Sequence, residues 1–225
     1  MNRVIYAIDV GSTLSNRKRE VAFAWAQIYA HKPHDVVADK DINKLADAIR
    51  ADLQSGLSIS LGFEAPLFIP IPSNAGNLSR ARCGEKDRPW SAQAGLAVAT
   101  LAVHQVAWLL KDLSDLKRMC LLSTEPEDWP PKDNRQILYC WEAFVSGAAH
   151  SEEHLRDAAT AAKYFLVHEN TLLSANAVSA NDSLSLFHSA AIWAGWLDDV
   201  RSLTKQLLVL RPTEPYNGTI AGEIA

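Results

Sequence analysis

Val4-Ile5-Tyr6-Ala7-Ile8-Asp9-Val10-Gly11-Ser12-Thr13 is the stretch on which the reading of the fold turns. An unbroken apolar run leads to an acid, and a glycine and two hydroxyl residues follow, so a buried strand ends on a carboxylate and then a turn. Ile59-Ser60-Leu61-Gly62-Phe63-Glu64-Ala65-Pro66 repeats the arrangement, with Glu64 closing the run and Pro66 preventing its continuation. A third acid, Asp157, lies in His154-Leu155-Arg156-Asp157-Ala158-Ala159-Thr160-Ala161-Ala162, at the opening of an alanine-rich helix. A carboxylate at the end of a buried strand is costly to desolvate unless a cation compensates it. Three such acids, on elements able to meet at one sheet edge, point to a divalent metal.

The rest of the chain supplies the elements that would carry them. Residues 3–9, 21–29, 35–38 and 58–64 read as strands. Residues 41–54 have apolar side chains at Ile42, Leu45, Ala46, Ile49 and Leu53, which is helical spacing with Asp41 as the cap. Asp41, Asp47 and Asp52 are then expected on its wet face. Strands leading through a helix back to a strand define an α/β pattern. Residues 65–89 form a long proline- and glycine-containing loop, a length usually reserved for function. A buried helix is expected over 90–116, strands over 118–123 and 135–144, helices over 151–168 and 183–196, and a last strand over 206–210. Residues 1–200 make a single domain with the 65–89 loop as an insertion, and 201–225 a C-terminal strand and loosely held tail.

Composition is permissive. The chain has 225 residues, 48% hydrophobic and 21% charged, enough for a substantial core. A net charge of −4 supplies no general attraction to polyanions, so nucleic-acid binding would require a local basic patch. Cys83, Cys120 and Cys140 are scattered, without a Cys-x-x-Cys pair, and read as reduced thiols. The opening residues turn acidic too soon for a signal peptide, and no apolar run approaches the roughly 20 residues of a membrane span. A cytoplasmic protein that does not engage a membrane is expected.

Ligands in open α/β sheets gather at the carboxyl ends of strands. Ala7 and Ile5 share a face with Asp9, and Gly62 and Ser60 share one with Glu64. These small residues would let the alanine-rich helix approach and bring in Asp157. The three acids are expected to ligate Mg²⁺ or Mn²⁺, hard cations that take oxygen ligands. Two such ions about 3.5–4 Å apart would serve in-line phosphoryl displacement. Separation of Asp9 from Glu64 by more than about 10 Å would exclude the site. His154, or Glu142 at the end of the 135–144 strand, would complete the shell or relay a proton. His150 and His154 are four apart, but no cysteine or third histidine accompanies them to suggest zinc.

The pattern resembles the RNase H fold superfamily. Ile8-Asp9-Val10-Gly11-Ser12 resembles its first strand, Phe63-Glu64 its fourth-strand acid, and residues 154–162 the closing helix of Holliday-junction resolvases. Glu64-Ala65-Pro66-Leu67 followed by Arg80-Ala81-Arg82-Cys83 is also similar to a family of uncharacterised prokaryotic proteins described as RNase-H-fold nucleases, with glutamate where that family usually has aspartate. The resemblance spans roughly residues 3–170. It implies an RNase H-like mixed sheet with helices on both faces and a nuclease that hydrolyses phosphodiester bonds by a two-metal mechanism. Its metal ligands would be Asp9, Glu64 and Asp157, and its substrate DNA or RNA. Arg80, Arg82, Lys86 and Arg88, with Trp90 beside them, are the candidate contacts to nucleic acid. Two other readings stay open. Asp9-Val10-Gly11-Ser12-Thr13 also resembles the first phosphate loop of sugar kinases and actin-like ATPases, although no second such loop follows. The alternative is a catalytically idle RNase H-like module that binds a partner through its 65–89 loop.

Overall fold

β1 (Arg3–Asp9) is buried along almost its whole length, which places it in the middle of the sheet. The computed structural model describes residues 3–14, 21–85 and 88–221. β1 pairs antiparallel with β2 (Ala24–Tyr29), which pairs antiparallel with β3 (Val36–Asp39). After α1 (Ile42–Gln54) the chain returns as β4 (Ser58–Glu64), parallel to β1 on its other side. β5 (Phe68–Pro70) and the 20-residue α2 (Gln93–Asp112) follow, then β6 (Leu121–Ser123) and β7 (Ile137–Ala143), which lies parallel to β4. α3 (His154–His168), α4 (Leu172–Ala175), β8 (Ser183–Ser185), α5 (Leu186–Trp193), β9 (Val209–Leu210) and β10 (Ile220–Ala221) complete the order. The eight-stranded sheet runs β10-β3-β2-β1-β4-β7-β6, with β9 also beside β7, while β5 and β8 form a separate antiparallel pair. This is an RNase H-like mixed α/β arrangement with helices on both faces.

Alternation along the strands divides the core in two. Val4, Tyr6 and Ile8, with Ile59, Leu61 and Phe63, pack beneath α1, α2 and α5. Ile5 and Ala7, with Ala26, Tyr139 and Trp141, pack beneath α3, whose contribution is Ala158, Ala159, Ala161, Ala162 and Phe165. The alanines let α3 lie close over β1 and β2. Over β4 the small residues act differently from expectation. A Cβ on Gly62 would come within 2.4 Å of the Trp141 ring, and the indole Nε1 donates to Ser60 Oγ at 2.9 Å. The space over Gly62 and Ser60 thus receives a tryptophan from β7, not a helix.

Asp41 caps α1 by accepting from Asn43 N at 2.8 Å. Asp52 is not on the wet face of α1. It is buried, accepting from Tyr6 Oη at 2.5 Å, Tyr29 Oη at 3.0 Å and Gln27 Nε2 at 3.0 Å. α2 is also less enclosed than expected: Ala102, Val106, Leu109 and Leu110 are buried, while Leu96 and Trp108 are exposed. By length and composition α2 would suffice to cross a membrane, although no apolar run of that kind was expected from the sequence; here one side of it packs into the core. The 183–196 segment opens as a short strand before Ser185 caps α5. The expected last strand forms as β9, and the chain from Arg211 to Ala221 is not a loose tail. β9 joins β7, Tyr216 N donates to Thr160 Oγ1 at 2.9 Å, and β10 joins β3.

Candidate metal centre

β1 and β4 run parallel in a register that pairs Asp9 with Glu64, so two strands deliver their terminal acids to the same end of the sheet. α3 begins at His154 and brings Asp157 in from the face it covers. One carboxylate oxygen from each of Asp9, Glu64 and Asp157 lies within 4.8 Å of the others. Asp9 and Asp157 are buried, and Glu64 is half-buried. A group of oxygen donors at this spacing could hold a metal ion.

The three carboxylates are held differently. His154 Nδ1 lies 2.6 Å from Asp9 Oδ2, and because a carboxylate can only accept, Nδ1 carries the shared proton. His150 Nδ1 lies 2.6 Å from Asp157 Oδ2, and Ser151 N donates to Asp157 Oδ1 at 2.8 Å. Glu64 has no such support: its Oε2 is closed to solvent and has no hydrogen-bond partner. Buried polar atoms are nearly always paired, so this oxygen is the anomaly of the site.

Electrostatics follow from these contacts. Burial, reinforced by Asp9 and Asp157, pushes the Glu64 carboxyl well above the usual carboxylate range, with Arg88 opposing. Burial also raises Asp157, offset by Ser151 N–H and His150. The hydrogen bond to Asp9 raises His154.

His154 therefore joins the cluster, but Glu142 does not. In register with Phe63 on β4, Glu142 projects away from the face of Trp141 and α3. Its oxygens accept from Arg82 Nη2 at 2.6 Å, Arg82 Nη1 at 2.9 Å and Leu67 N at 2.9 Å. Arg82 is correspondingly unavailable to a substrate. Its side chain is 1% exposed, its Nε donates to Glu85 Oε1 at 2.8 Å, and its guanidinium lies 4.4 Å over the Phe68 ring. The long loop is thus fastened to β7 through a buried Glu85–Arg82–Glu142 ion pair network.

The remaining basic residues are not one patch. Arg88 is exposed and lines a cavity of about 440 Å³ with Glu64. Arg80 lines another, of about 420 Å³, with Asn77 and Asp182. Lys86 lies outside the described residues. Gly11 is explained by the neighbouring chain: a Cβ there would lie 2.3 Å from Ala22 O, and Ser12 O accepts from Ala22 N and Phe23 N. That close approach needs no phosphate to account for the glycine.

His150, read in the sequence by its spacing from His154, sits ahead of α3, in the turn that leads to it, and from there reaches Asp157. No family model, curated protein or solved structure matches this chain.

Proposed function

We propose that this protein is a magnesium- or manganese-dependent phosphodiesterase that hydrolyses nucleic acid in the two-metal manner, with Asp9, Glu64 and Asp157 as the ligands. The observation that carries the reading is the unpartnered Glu64 oxygen within a trio of converging carboxylates. Donor chemistry and reach both fit. Oxygens opposite one another across Mg²⁺ are about 4.2 Å apart, twice a ~2.1 Å bond. The observed limit of 4.8 Å leaves only a sub-ångström side-chain adjustment.

A divalent cation bound there supplies positive charge to a phosphoryl oxygen and acidity to a water molecule. The chain's own residues prepare for it. His154 orients Asp9 by holding a proton on Nδ1, and His150 with Ser151 N–H orients Asp157. Glu64 is fixed by its strand and offers an oxygen with no competing hydrogen bond. Resemblance to RNase-H-fold nucleases supports the choice of phosphodiester over other metal-assisted hydrolyses.

The test is calorimetric titration with Mn²⁺ together with Mg²⁺-dependent cleavage of labelled DNA and RNA. Asp9→Asn removes the ligand charge while keeping the volume, so it should lose both metal binding and cleavage with the fold intact. Hydrolysis unchanged in that variant would refute the assignment.

A further inference from the structure

The cavity beside Glu64 is unexplained by the acid trio itself. Glu64 forms one wall and Arg88 another, while Pro66, Pro89, Trp90, Val98 and Phe144 make much of the remainder apolar. At about 440 Å³ it falls among pockets that enclose small ligands, about 300–1,000 Å³. Its Trp90 wall is anchored. Trp90 Nε1 donates to Arg80 O at 3.0 Å, and Trp90 N donates to Glu85 Oε1 at 3.0 Å. The Arg82–Glu142 pair closes its floor with charges that satisfy one another.

Resting on the hydrolase reading above, the geometry points to this cavity as a receptor for one unstacked nucleobase, with Arg88 on the adjoining phosphate, so that the substrate is single-stranded or splayed nucleic acid. Three features select this occupant. The cavity shares Glu64 with the trio, so whatever fills it is joined directly to the group at the metal centre. An apolar chamber with a cation at its side matches a base carried next to a phosphate. A duplex keeps its bases stacked inside, and only an unpaired or extruded base can enter such a pocket. Protein groups that stack on a base confer little sequence preference, so discrimination is expected between single strand and duplex more than among bases.

Binding can be separated from metal chemistry by measuring it in EDTA. The probes are short fluorescein-labelled oligothymidine and oligouridine strands and a blunt DNA duplex, read by fluorescence anisotropy. Ala94, an exposed residue of α2 that lines the cavity, is replaced in Ala94→Trp to fill it. Ala97→Trp places the same bulk at an exposed position on α2 outside the cavity. The single strands should bind more tightly than the duplex. Ala94→Trp and Arg88→Ala should each weaken them about tenfold, the scale of one lost base stack or charge contact, while Ala97→Trp leaves affinity unchanged. Asp9→Asn should retain binding in EDTA, and Ala94→Trp should retain Mn²⁺ binding, so the cavity and the metal centre can fail independently. Equal affinity for duplex, or no effect of Ala94→Trp at an unchanged melting temperature, would overturn the assignment. Retention on phosphatidylglycerol vesicles that Ala94→Trp abolishes, without oligonucleotide binding, would give the cavity to a lipid and overturn it equally.

Discussion

Asp9 and Glu64 face each other across the parallel β1–β4 ladder, each as the last residue of its strand. In-register neighbours on parallel strands send their side chains to the same face, so the pairing brings two carboxylates together. Asp157 arrives on a third element. Two histidines relieve Asp9 and Asp157, leaving Glu64 as the acid whose burial is uncompensated by a hydrogen bond. The backbone register thus holds the acids in place at a cost in stability that a cation would offset.

Removing the charge at Glu64 should stabilise the metal-free protein. Glu64→Gln is expected to raise stability by about 1–3 kcal/mol, the range for relieving an unsatisfied buried group. At about 2–4 °C per kcal/mol for a chain of this size, thermal melting would detect it. Mn²⁺ should raise the melting temperature of the original protein and not of the variant. A variant that melts lower, or still responds to Mn²⁺, would contradict the role given to Glu64.

The pH dependence has a definite sign. Glu64, Asp157 and His154 all have folded-state values raised above their ordinary ones. For each, the proton is held more tightly in the folded state, so the carboxyl contributions are complete below the ordinary carboxylate range near pH 4 and decline as pH rises through the raised values. The histidine contribution is complete below about pH 6.5 and declines above it. Metal-free protein should therefore lose stability between pH 5 and 8 in urea titrations. Saturating Mg²⁺ should flatten that decline by favouring the ionised carboxylates. A metal-free stability that climbs across this interval would be the opposite result.

Arg82→Ala should unfold the loop attachment before it affects the acid trio. Two buried carboxylates, Glu85 and Glu142, would lose their cation. Breaking a buried pair from one side costs about 3–5 kcal/mol, which chemical denaturation would report. Loss of nucleic-acid affinity at full stability would show instead that Arg82 reaches the substrate.

Gly62→Ala tests the packing that replaced the expected helix contact. The new methyl would meet the Trp141 ring and displace the indole from Ser60. Overpacking of this kind costs about 1–3 kcal/mol. The near-ultraviolet circular dichroism of the tryptophans should change with it, and an unaltered spectrum and stability would mean that the ring can yield without loss.

Much of the centre was readable because an acid closing an apolar run is conspicuous. Asp9 and Glu64 stand out in that way, and the alanines around Asp157 mark a close-packing helix. What escaped was facing. β7 is buried on both sides, so its composition does not distinguish the face of Trp141 from that of Glu142. Arg82 sits amid loop-forming residues and reads as solvated; its partners are three and 60 positions away, and only the second depends on the fold. Asp52 looked like the polar side of an amphipathic helix because Tyr6 and Gln27, which it binds, come from other strands. β8 and β10 have three and two residues and carry no periodicity to detect.

β9 and β10, the last strands in chain order, lie toward opposite sides of the sheet, one against β7 and the other against β3. A polypeptide emerging from the ribosome would hold β1, β2, β4 and β7 ready to pair long before either finishing strand is available. During that interval β3 and the far end of β7 would present open backbone to other nascent chains, the situation in which strand edges recruit one another. Synthesis through residue 221 is what removes both openings, so premature termination between α3 and β9 would leave an assembled acid trio on an adhesive sheet.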